Sequence, residues 1–263
     1  MMASAETVTL VWHYSPTDFF EAPVDESEDK YKLRIEQGKI EAVLDASAYD
    51  ASRNMSETII EEIRWRFFAA RLSKRREFTI IGNSSMTRLA ASGRQEVSIN
   101  IGLNLNAMVP SIRPETMATD AAGRVTHDSK KARLDNEKAF EATIHQLYGD
   151  STLESLLSSH GRAIHNPSTV LVHLFEILDV FKRKFHHWEC VCSKLNFPTE
   201  KHTRLWALAN NEPLNQGRHA GTKDPADLRD ATPQEVSEAW DIAEALIKAY
   251  VAFASTESTG RNT

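Results

Sequence analysis

The chain has 263 residues, 41% of them hydrophobic and 26% charged, and carries a net charge of −6. That length suffices for one large domain or two ordinary ones, and the balance is that of a folded protein rather than a disordered one. The acidic excess means that nucleic-acid binding would need a local basic patch. No run approaches the roughly 18 consecutive apolar residues that a membrane span requires.

The opening MMASAETVTLVWHY lacks a basic segment followed by an apolar core, so no secretory signal is expected. Within it, residues 7–14 are β-branched and aromatic and read as a strand. Phe19-Phe20-Glu21-Ala22-Pro23 follows as a loop or edge. In residues 31–45, Leu33 and Ile35 alternate with charges, Gln37-Gly38 makes a turn, and Ile40, Ala42 and Leu44 alternate on the return. This predicts a hairpin, with glycine supplying the positive φ of the turn.

Residues 56–72 change to helical spacing, with Ile59, Ile60, Ile63, Phe67, Phe68 and Ala70 recurring among arginines. Strand character returns at 77–82 and 95–105, joined by NSSMTRLAASG read as a loop. A β-rich domain with one helix over 1–110 fits this order. Residues 111–130 are polar and rich in turn residues, which marks a linker or a connecting hairpin.

From 131 the pattern is helical to about 255, with 256–263 as a polar tail. The predicted helices start near 131, at 151 with Ser151 and Glu154 in capping-box spacing, and at Asn166-Pro167 as cap and first helical position. Two shorter helices flank Asn196-Phe197-Pro198-Thr199, and Thr232-Pro233-Gln234-Glu235 caps the last helix. The expected fold class is therefore α+β, a β-rich front followed by a helical bundle.

Three groups of residues bear on chemistry. The loop Asn210–Gly221 gathers amides with Arg218 and His219 between helix breakers. A histidine near neutral pKa can shuttle protons and an adjacent arginine can hold a phosphate. Equally, such a loop can be purely structural, its amides satisfying free backbone groups at helix ends. The second group is Arg64, Arg66, Arg71, Lys74, Arg75 and Arg76, six cations within 13 positions that suit an RNA backbone. Glu57, Glu61, Glu62 and Glu77 are close enough in sequence to make the same run a balanced, solvated helix face. The third is His186, His187, Cys190 and Cys192, whose spacing matches no familiar zinc site, so no metal is expected. These are the only two cysteines, and their spacing favours no disulfide, so reduced thiols in a cytoplasmic protein are the expectation. The cations Lys182, Arg183 and Lys184 before them complement a helix C-terminus. No glycine-rich phosphate loop or nucleophile elbow occurs, and no cofactor is expected.

The polar Arg-His loop, the short connection and the capped last helix TPQEVSEAWDIAEALIKAY together resemble the HEPN superfamily of small helical-bundle domains. The portion LANNEPLNQGRHAG also resembles uncharacterised bacterial proteins that join a β-rich front to such a bundle. The resemblance covers the C-terminal half. It implies an RNA-directed protein of a defence or toxin–antitoxin system, acting as a homodimer, with His219 as acid–base group, Arg218 on the phosphate and Asn215 orienting one of them. Other members are inactive, so it equally implies a non-catalytic dimerisation, ligand- or partner-binding module. In active members several residues separate the Arg from the His. Here Arg218 directly precedes His219, and Asn215 stands four positions before it. On a helix, adjacent side chains diverge by about 100° and would not form the usual pair, whereas a loop would let them converge.

Overall fold

The structure is a computed structural model that describes residues 6–52, 54–90, 95–98, 117–119, 125–218 and 228–260. The architecture is α+β, an antiparallel sheet followed by a helical region. Two compact units divide it, Met1–Phe67 with Phe78–Leu134, and Phe68–Glu77 with Asp135–Thr263. Among the described residues no helix is long and apolar enough to cross a membrane.

In the first unit, six antiparallel strands run in the order β2-β3-β4-β1-β5-β6. They are β1 (Thr7–Ser15), β2 (Val24–Ser27), β3 (Lys32–Glu36), β4 (Lys39–Asp45), β5 (Thr79–Leu89) and β6 (Gln95–Ser98). The period of two decides which face is buried: Val8, Leu10, Trp12 and Tyr14 on β1 are inside, as are Ile40, Ala42 and Leu44 on β4. After the short α1 (Ala46–Asp50), α2 (Met55–Lys74) buries Ile59, Ile63 and Phe67, spaced by four. Phe67 meets Tyr14 edge-on at 5.1 Å and stacks with Phe19 at 5.5 Å, so the Phe19–Pro23 segment is a loop that contributes to the core.

The β3–β4 hairpin turns at Gln37 and Gly38, with φ of 48° and 82°, the doubly positive pattern of a two-residue hairpin turn. The loop expected at NSSMTRLAASG is corrected in part. Asn83 through Leu89 belong to β5, which pairs with β1 from Thr7↔Leu89 to Ser15↔Thr79. A register shift between Val11 and His13 takes up the extra residues opposite them, so turn-like composition here marks a bulge within a strand. The expected strand at 95–105 is described only as far as Ser98. In the stretch read as linker or hairpin, β7 (Met117–Thr119) and β8 (Val125–Asp128) pair antiparallel.

The helices that follow are α3 (Ser129–Gln146), α4 (Ser151–His165), α5 (Val170–Phe185), α6 (Trp188–Leu195), α7 (Thr199–Trp206) and α8 (Pro233–Gly260). In the second unit α4 packs on α5, and both contact α8. Leu153, Leu157, Leu174, Ile177, Phe181, Ala243, Leu246 and Ile247 fill its core.

One cap differs from expectation and a second is met through a 3-10 turn. Asp150, not Ser151, caps α4, accepting from the Leu153 amide at 2.7 Å, and its carboxylate also accepts from the Tyr250 hydroxyl at 2.9 Å. Asn166 stands at the N-cap and Pro167 at the start of the helical run as expected, but the run opens as a 3-10 turn over Pro167–Thr169 before α5, and the Asn166 side chain donates back to the Arg162 carbonyl at 3.0 Å. The capping box on α8 is present, with Thr232 N to Glu235 Oε2 at 2.7 Å and Glu235 N to Thr232 Oγ1 at 3.2 Å. The last helix also runs to Gly260 through the residues read as a tail, because polarity alone does not end a helix that meets no proline.

Candidate functional site

The loop carrying Arg218 begins where α7 gives way to a π-helical turn at Ala207–Asn211, closed by Glu212 N to Ala207 O at 3.0 Å. Pro213 cannot continue it. The chain then folds back along the residues preceding α8: Asn215 N bonds Arg229 O at 2.9 Å and Arg229 N bonds Pro213 O at 3.0 Å. Arg218 N reaches back to Ala209 O at 2.8 Å. Side chains clamp the same ends, since Arg204 bonds Glu212 and Glu238, while Arg229 bonds Glu235 at 2.6 Å and Glu212 at 3.3 Å. The Arg229 hydrogen bond, with help from Thr232, holds the Glu235 carboxyl well below its ordinary value.

Within that frame, Asn215 donates to Asp230 at 2.8 Å, and Gln216 donates to the same oxygen at 3.2 Å while accepting from the Ala231 amide at 2.9 Å. The Arg218 guanidinium lies 4.5 Å over the Phe175 ring and bonds Asp179 at 3.4 Å. His219 lies outside the described residues. Asn215 and Arg218 are thus each taken up by a different acidic partner.

Asp179 opens onto a groove of about 480 Å³ between α4 and α5. On α4 it is lined by Glu154, Ser155, Ser158, Ser159 and Arg162, and on α5 by Glu176, Asp179, Val180 and Arg183. The helical spacing of 154, 158 and 162, and of 176, 179 and 183, puts each set on one face. Arg162 bonds Glu176 at 2.7 Å and Ser159 at 3.0 Å, and His173 Nδ1 lies 3.3 Å from the same Glu176 oxygen. Burial pushes the Glu176 carboxyl up, but the bonds from His173 and Arg162 outweigh it and hold it below the usual value. The groove therefore offers hydroxyls and both signs of charge, and suits a polar ligand or partner segment.

Most of the basic run is neither an exposed surface free for phosphate nor a solvated face, although Arg64 does pair in solvent with Glu61 as a balanced helix face would. Arg66 is buried between Glu26 and Glu28, and Arg71 is buried with Nη2 on the Leu157 carbonyl at 2.6 Å. Lys74 lies 3.5 Å from Glu137, and Arg75 bonds Glu244 and Asp241. Arg64 is exposed and pairs with Glu61 at 2.9 Å, and Arg76 is half-buried. The one-dimensional charge pattern could not show this, because most of the partners are far away in sequence.

Sequence reasoning also missed the buried group at His160. This histidine is inaccessible, its Nε2 lies 3.6 Å from Glu244, and its ring meets Trp240 edge-on at 5.0 Å. Desolvation lowers its pKa, outweighing the neighbouring Glu244. Cys190 and Cys192 are free thiols, and among the described residues no three His, Cys, Asp or Glu gather as a metal site would require. No family model matches the chain, and no curated protein or solved structure does.

Proposed function

We propose that the C-terminal helical unit is a HEPN-like module that binds a polar ligand or partner at the groove between α4 and α5, rather than a ribonuclease. The observation that carries this reading is the separate engagement of the loop's polar side chains. Arg218 is held by Asp179 and Phe175, and Asn215 by Asp230. An arginine that steadies a scissile phosphate has to be free to meet it, and here a carboxylate lining the groove occupies it. In a bacterial defence or toxin–antitoxin setting, such a module senses or assembles rather than cuts.

The test is incubation of the purified protein and of His219→Ala with mixed RNA and a chelator. The module reading expects intact RNA from both. Cleavage by the parent that the variant loses would overturn it in favour of a metal-independent ribonuclease with His219 as acid–base group, Arg218 on the phosphate and Asn215 orienting them. Light scattering on the same samples reads whether the module is a homodimer.

A further inference from the structure

The second unit contains a charged cluster that neither the loop nor the groove uses. Three parts of the fold meet in it: Phe68–Glu77, α4 and α8. From α4 comes His160, fully buried, with neither ring nitrogen within hydrogen-bond distance of a partner. From α8 come Trp240, Asp241 and Glu244. From the first segment come Arg71, which donates to the Leu157 carbonyl, and Arg75, which bonds Asp241 at 2.6 Å and grips Glu244 with two nitrogens.

The decisive detail is which oxygen each group addresses. Arg75 Nε donates to Glu244 Oε1, and His160 Nε2 faces that same Oε1 from 3.6 Å. A neutral imidazole leaves the carboxylate to arginine. An imidazolium is a full positive charge with two donors, and it competes for that oxygen in a low-dielectric setting where charge-assisted bonds are strong. It also adds a third cation beside Arg71 and Arg75, which repel it. The other charges around the cluster do not relieve this. Glu77 lies 3.9 Å from Arg71 and is partly exposed, Lys74 faces Glu137 of α3, and the α5 groups Glu176, Asp179 and Arg183 line the groove.

We propose that proton uptake by His160 transfers Glu244 from Arg75 to the imidazolium and thereby loosens the Phe68–Glu77 segment from α4 and α8. The proton comes from solvent and stays on the ring, so the step is an exchange of ion-pair partners. Neutral His160 is the form the folded cluster favours. That preference is fully present above the ordinary imidazole value of 6.5 and is lost as the pH falls below it.

Hydrogen exchange of the amides of residues 68–77, corrected for intrinsic rates, tests this in the full chain at pH about 7.5 and about 5.5, bracketing the histidine range. The parent is expected to open about fivefold more often at the lower pH, with His160→Gln showing no such change. An unchanged parent, or an equal rise in His160→Gln, overturns the proposal. If the variant does not fold, the parent's own resonances decide. The Arg75 Nε–H signal is expected to shift with the midpoint of the His160 ring, and a His160 titration that leaves Arg75 unmoved overturns the exchange.

Discussion

At two positions the fold leaves room for no side chain beyond a hydrogen. At Gly161 an added Cβ would lie 2.4 Å from Arg71 Nη1 and 2.5 Å from its Cζ. A flexible arginine on a surface would swing aside, but this one is buried and committed to the Leu157 carbonyl. Gly161→Ala must therefore displace a buried cation, and we expect it to lower the unfolding free energy by about 1–3 kcal/mol, the range of overpacked cores. Urea unfolding of parent and variant measures it, and a loss under about 0.5 kcal/mol, the scale of surface substitutions, would contradict the account. Gly38 differs in cause. Its φ of 82° and the 2.6 Å approach of an added Cβ to Thr17 Cγ2 combine backbone strain with a clash. Gly38→Ala is expected to cost about 1–3 kcal/mol, visible as a lower urea midpoint with an unchanged slope.

Caps and registers are where sequence and structure can be compared element by element. Thr232→Ala removes one half of the α8 capping box and is expected to cost about 1 kcal/mol, checked by thermal unfolding. Asp150→Ala should cost more than that, because the same carboxylate caps α4 and accepts from Tyr250 of α8, binding two helices rather than one. The Thr232 box was legible because a proline inside the first turn and a glutamate three residues on leave little other reading. Asp150 was not, since Ser151 with Glu154 offers a capping-box spacing one residue later, and the choice between them shows only in which oxygen the Leu153 amide meets. Periodicity in two or four made β1, the β3–β4 hairpin and α2 readable, for there the buried face repeats within the element. What sequence order hides is partnership across it. Arg66 with Glu28, Arg75 with Glu244, and His160 with that same Glu244 are separated by tens to over a hundred residues, so a run of cations looked like a surface. The candidate site divides the same way. The loop itself announced its place through Pro213 and Gly217, but the groove exists only once α4 lies on α5, and Asp179 gave no local sign that it would meet Arg218.

For the whole molecule the two units should answer acid differently. Among the described histidines, those pushed below their ordinary pKa are His160 and His202, both by desolvation and both in the second unit. A buried neutral histidine binds fewer protons folded than unfolded, so its contribution is complete above pH 6.5 and declines as the pH falls below that value. Carboxylates held below their ordinary value act lower down. Glu244 is pushed up by burial but pulled further down by His160, once that ring carries its proton, and by Arg75, and Glu176 is held down similarly by His173 and Arg162, both again in the second unit. Their contribution is present above 4.5 and is lost on protonation below it. Acidification should therefore weaken the helical unit in two stages, a first below pH 6.5 from histidine and a second below 4.5 from carboxylates. Hydrogen exchange resolved by segment checks this: between pH about 7 and about 5, protection is expected to fall at the core amides of α4 and α8 before those of β1 and β4. Loss of protection in the strands first, at the same pH, would place the acid-sensitive groups in the sheet and contradict the assignment to His160 and His202.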